Sequence, residues 1–122
     1  MTLFISLVVR RLRVIEGNLE RDLLYILKLR APHEAVGLLN GDQIIELPNR
    51  HEEPTHNFLI HRDDILEALN RSGTINYDEL VLWHTHPRGG VGPSRIDMRQ
   101  KTQFPYHLVL TLEQNTLIPA WY

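Results

Sequence analysis

Apolar positions recur along this chain with two spacings, every second residue and every three to four, and each predicts a different element. Residues 2–14 carry Leu, Ile, Val and Phe in near-alternation with arginines late in the run, which predicts a strand or two short ones. Gly17-Asn18 breaks that run. Asn18 is placed to cap a helix, and Glu20 and Asp22 follow where the positive end of the helix favours acid. Leu19, Leu23, Ile26 and Leu27 return at helical spacing, and Leu24 and Leu29 widen the apolar face. Arg30-Ala31-Pro32 ends the helix, because a residue before proline leaves the helical region.

Residues 35–39 and 43–47 are short apolar runs around Asn40-Gly41-Asp42, a turn signal, and predict a hairpin. A polar loop over 48–57 leads to a short strand at 58–60. A second helix opens at His61, turns Ile65, Leu66 and Leu69 inward, and stops at Ser72-Gly73. Residues 77–83 predict a central buried strand that runs into His84 and His86. Pro87 stops it for want of an N–H, and Gly89, Gly90 and Gly92 make a pliable loop. Ser94 opens a short helix reaching Gln103. Residues 106–112 and 116–122 predict the last two strands, either side of Gln114-Asn115. The sum is a mixed sheet flanked by helices, α+β or a three-layer α/β arrangement.

At 122 residues the chain predicts one domain, 1–122. Net charge of −2, with Lys28 and Lys101 the only lysines, lacks the basic excess that nucleic acid requires. The absence of cysteine excludes disulfides, a thiolate zinc site and a cysteine nucleophile, and fits a reducing, cytoplasmic setting. The apolar run from Leu3 to Val9 is too short to span a bilayer. Its arginines follow rather than precede it, so a strand is expected there, not a signal peptide, and no membrane partner.

Residues two apart on a strand point to the same side, so His84 and His86 can face one point. Asp97, one turn into the helix that Ser94 opens, completes a set of two imidazoles and a carboxylate. A catalytic zinc takes three such ligands and leaves a fourth position to water. Each half has a plainer reading. A His-x-His pair is common at strand ends, and Ser94-x-x-Asp97 alone could be a helix cap. Ser94 as a nucleophile is disfavoured, since a metal would occupy the histidines that a serine triad needs free. Thr85 points to the opposite face and is expected to pack. His33, His51, His56, His61 and His107 are assigned no metal role. Glu34, taken by position, could be a surface carboxylate or a partner for Arg30.

The compound spacing His84-Thr85-His86-Pro87, six residues, Ser94, two residues, Asp97 resembles the JAMM (MPN+) metalloprotease motif, with every fixed position filled. Upstream, Pro32-His33-Glu34-Ala35-Val36-Gly37-Leu38-Leu39 resembles the segment that carries the family's glutamate. The resemblance runs from about Leu19 to the end of the sequence. It implies a fold similar to the cytidine deaminases and one zinc per chain on His84, His86 and Asp97. It implies Glu34 as general base and later general acid, and Ser94 as hydrogen-bond donor to the oxyanion. The implied activity is hydrolysis of a peptide or isopeptide bond in a protein substrate, as at the tails of ubiquitin-like proteins or in phage tail assembly. The short loop from Arg88 to Pro93 implies a stand-alone prokaryotic or phage type. A non-catalytic MPN-type scaffold that binds a partner and no metal is the alternative, and metal content discriminates the two. The metallo-β-lactamase signature is absent, because Arg88 and Gly89 stand where its Asp and His would be.

Overall fold

In the computed structural model, which describes residues 14–122, a parallel strand pair is extended on each side by antiparallel partners. The strands are β1 (Val36–Asn40), β2 (Gln43–Leu47), β3 (Val81–His86), β4 (Tyr106–Glu113) and β5 (Thr116–Trp121), in the order β2-β1-β3-β4-β5. β1 and β2 pair from Val36↔Leu47 to Asn40↔Gln43, leaving Gly41 and Asp42 as a two-residue turn, with Gly41 at φ 62°. The β4–β5 hairpin turns through Gln114 and Asn115, both at positive φ, as the twist-matched hairpin turn requires.

β3 runs antiparallel to β1, with Val36 opposite His84, and parallel to β4, with His84 opposite Val109. Its residues alternate between two cores. Val81 and Trp83 join Leu23 and Leu27 of helix α1 (Gly17–Arg30), together with Leu108 and Leu110. Leu82 faces the other way, towards Ala68 of helix α2 (Arg62–Arg71) and the partly buried Ile65 and Leu69. The sheet is therefore mixed, with a helix packed on each face, as expected. His84 and His86 follow Leu82 onto the α2 side, at the carboxyl end of a central strand. Helix α3 (Arg95–Arg99) sits in the crossover between the parallel strands. Among the described residues no helix is long and apolar enough to cross a membrane.

Several boundaries differ from the sequence expectation. The strand expected over 2–14 lies outside the described residues but for Val14, which is not in a strand. α1 starts at Gly17 with Glu16 in the capping position, so Asn18 falls inside the first turn and cannot cap. Residues 58–60 form no strand; Leu59 makes two single bonds into the preceding loop, to Asn49 and Arg50, rather than a ladder. Tyr77–Glu79 is a single 3-10 turn, because the Asn76 side chain accepts the Asp78 N–H, and β3 begins only at Val81. α3 stops at Arg99 rather than Gln103, and the segment beyond it is held by His107, whose Nε2 accepts the Thr102 N–H at 3.1 Å.

Gly37 shows how tightly the central strands meet. A Cβ at this position would collide with the backbone oxygen of Ile45 and lie 2.6 Å from the Trp83 ring. Trp83 is fully buried and its Nε1 donates to the Leu38 carbonyl at 3.1 Å, so the ring cannot yield. Gly37→Ala is expected to cost about 3 kcal/mol or more, the upper end for an overpacked core. A denaturant midpoint within error of the parent would contradict it.

Candidate metal centre

Three elements bring the site together. β3 ends by presenting His84, fully buried, and His86, partly buried, on one face. The loop that follows turns through Gly89, Gly90 and Gly92, all at φ between 84° and 91°, a region that favours glycine. That turn returns the chain so that α3 opens against the strand end. Ser94 and Asp97 form a reciprocal capping box: Ser94 Oγ accepts the Asp97 N–H at 3.0 Å, and Asp97 Oδ2 accepts the Ser94 N–H at 2.8 Å. The box fixes the carboxylate of Asp97, which is buried.

The result is a triangle of potential ligand atoms. Asp97 Oδ2 is 3.1 Å from Nε2 of His84 and 3.1 Å from Nε2 of His86, and the two Nε2 atoms are 3.3 Å apart. Atoms bound to one tetrahedral ion at about 2.0–2.1 Å stand about 3.3 Å from one another, so the triangle has the size of one tetrahedral face. The proton inventory points the same way. His86 Nδ1 lies 2.9 Å from the Gly90 carbonyl, which can only accept, so Nδ1 carries the proton. Whenever His86 is neutral, the lone pair of Nε2 therefore faces the Asp97 carboxylate. Two acceptors face each other at hydrogen-bond distance, an arrangement that requires a cation or a proton between them.

Glu34 stands beside this triangle, in the extended residues just before β1. Its carboxylate lies within 4.8 Å of ligand nitrogens of both histidines, and Oε1 is buried with no hydrogen-bond partner among the described residues. Arg30 does not reach it, being engaged with Glu46 at 2.8 and 3.0 Å. Glu34, His86, Ser94, the glycine loop, Thr55 and His56 line an open groove of about 530 Å³.

Burial pushes the Glu34 carboxyl up to about 7, with His86 opposing and Asp97 adding to the shift. Burial also acts to raise Asp97, yet hydrogen bonds from His84 and His86 hold it well below the usual carboxylate range. Burial lowers His84 and keeps it neutral, whereas at His86 the bonds to Asp97 and Gly90 outweigh burial and raise it. The two carboxyls are thus pushed apart, one held ionised and one able to keep or release a proton near neutrality.

The chain from residue 17 to residue 121 matches the prokaryotic homologs of the JAB domain. It belongs to the Prok-JAB family. A protein of Thermus thermophilus named as a probable TtuB-protein conjugate cleaving protease is 33% identical to this Prok-JAB chain over 100 residues, 78% of the chain and 67% of the relative.

The structure thus brings all five of the sequence-predicted residues, Glu34, His84, His86, Ser94 and Asp97, to one place. It also shows contacts that spacing did not reveal. Thr85, expected only to pack, uses its hydroxyl to accept the Ala35 N–H at 2.8 Å, tying the residue after Glu34 to β3. Thr111 donates to the Gly90 carbonyl at 3.2 Å and braces the partner of His86. Tyr122 places its hydroxyl 3.4 Å from His84 Nδ1. Burial raises the Tyr122 hydroxyl far above its ordinary value, so it remains a neutral partner. None of these carried a periodic signal in the sequence.

Proposed function

We propose that this Prok-JAB chain is a single-domain, cytoplasmic zinc metalloprotease that hydrolyses the isopeptide or peptide bond joining a ubiquitin-like protein to its target. The observation that carries the reading is the convergence of His84, His86 and Asp97 on one point, with Glu34, whose Oε1 has no hydrogen-bond partner among the described residues, lining the same groove as His86. The Thermus relative, named for cleaving TtuB-protein conjugates, supplies the substrate class.

His84 Nε2, His86 Nε2 and Asp97 Oδ2 would hold one zinc per chain. Asp97 is preferred over Glu34 as the carboxylate ligand because its Oδ2 lies 3.1 Å from both Nε2 atoms and is locked by the capping box. When bound, zinc supplies Lewis acidity at the scissile carbonyl and at a water beside it. Glu34 takes one proton from the attacking water at a carboxylate oxygen and later gives it to the leaving amine. The C–N bond breaks, and the products are a free amine and a carboxylate. Ser94 Oγ spends a lone pair on the Asp97 N–H, so its own proton remains free to point at the oxyanion from the groove wall.

The direct test is to purify the chain, measure its metal content and incubate it with a TtuB-protein conjugate. Stoichiometric zinc and release of the target, both abolished by chelator, are expected. A metal-free protein with unchanged thermal stability in chelator would instead match a scaffold. Ser94→Ala is expected to keep zinc and lower turnover by about 10²–10³, the cost of one oxyanion donor. Loss of the cap adds about 1 kcal/mol of destabilisation. An unchanged rate would reduce Ser94 to the capping role.

A further inference from the structure

Glu34 precedes β1 and takes no part in the sheet ladder, yet its place must be fixed for it to work. Its Oε1 has no hydrogen-bond partner among the described residues, so none of them holds the carboxylate by that atom. The backbone does the holding. The Glu34 N–H donates to the Pro54 carbonyl at 2.7 Å, and the Glu34 carbonyl accepts from Asn49 Nδ2 at 2.9 Å. Both bonds come from the irregular loop between β2 and α2.

That loop is tied by the same amide. Asn49 Nδ2 also donates to the Asn57 carbonyl at 3.0 Å, while Oδ1 accepts the His51 N–H and the Leu59 N–H, each at 3.1 Å. Two carbonyls and two N–H groups surround it, so the orientation of the amide is forced and all four of its bonding positions are used. No other common side chain offers two donors and two acceptors from one short, planar group. A longer Gln would displace all four partners, and Asp would lose both donors.

We propose that Asn49 is a positioning residue for Glu34: its amide knots the loop at 48–59 and carries that order to the Glu34 carbonyl. The proposal rests on Glu34 being the base, and it assigns Asn49 no contact with substrate or metal. A base moved by about 1 Å costs on the order of 10²-fold in rate. The residues that would hold the metal, His84, His86 and Asp97, lie outside that loop and are untouched.

Asn49→Asp tests the claim, because it keeps the two acceptor bonds that shape the loop, removes the donors to Glu34 and Asn57, and sets a charged oxygen against those two carbonyls. With zinc-loaded protein and the TtuB-protein conjugate, kcat is expected to fall on the order of 10²-fold, with zinc content unchanged. Adding Asn49→Asp to Glu34→Gln is expected to slow the enzyme no further, since residues that act as one unit are not additive. In the metal-free protein, amide exchange at Glu34 is expected to speed up at least tenfold, while exchange at Leu38 within the sheet does not change. Asn49→Ala, which introduces no charge, is measured beside it and is expected to act in the same direction. Wild-type kcat with Glu34→Gln inactive would overturn the positioning role alone, as would an additive double variant or unchanged exchange at Glu34. Full activity of Glu34→Gln would instead remove the base assignment, a separate result.

Discussion

Glu34→Gln is expected to abolish conjugate cleavage while leaving fold and metal in place. The replacement has the same shape, and Oε1 has no hydrogen-bond partner to lose among the described residues. What disappears is the ability to take a proton from water and return it to the leaving amine. A positioned acid or base contributes about 10²–10⁴, and Glu34 is asked to act as both in turn, so a fall of about 10⁴ is expected. Turnover measured beside zinc content decides it: a zinc-loaded variant within tenfold of the parent removes Glu34 from the proton transfer. Stability gives a second readout. A carboxyl raised from 4.5 to about 7 favours the fold fully below 4.5 and loses that contribution as pH rises through about 7. Glutamine does not titrate. The metal-free variant should therefore gain on the metal-free parent as pH rises from 4.5 towards 8, a cost carried for function rather than for folding.

The parts of this molecule that burial alone dictates were legible in the sequence. The run from Val81 to Trp83 is apolar because both its faces are covered, by α1 on one side and by α2 on the other. The turn at Gly41 and the helical spacing of Leu23 and Leu27 were legible for the same reason, each being a local rule that the packing obeys. Polar side chains that replace backbone partners were not legible. Asn76 converts the expected start of β3 into a turn, and His107 replaces the last turns of α3 with a bonded loop. The site divides in the same way. His84, His86 and Asp97 are fixed by a strand's two-residue repeat and a helix cap, both of which have sequence signatures. Asn49 and Tyr122 reach Glu34 and His84 through tertiary contacts that no spacing encodes.

Asp97→Asn tests the metal assignment with the least disturbance to packing. The amide oxygen can still accept the Ser94 N–H, whereas His84→Ala would also empty a buried ring position beside Phe58, 4.5 Å away between centroids. Loss of the charged ligand is expected to weaken zinc by more than the ten- to hundredfold typical of losing an outer partner. Bound zinc at a hundred times its dissociation constant stabilises by about 2.7 kcal/mol, so chelator should lower the parent's melting temperature clearly and the variant's hardly at all. The metal-free proteins should differ as well. Asp97 titrates below its ordinary 3.8 in the fold, so its contribution is present above that value and lost as pH falls through the depressed one. The deficit of Asp97→Asn should therefore be full near neutral pH and vanish in strong acid. Equal chelator shifts in parent and variant would move the carboxylate ligand from Asp97 to Glu34. Among the described residues, Glu34 is the other acid within reach of both histidines. The roles of the two carboxyls would then have to be exchanged.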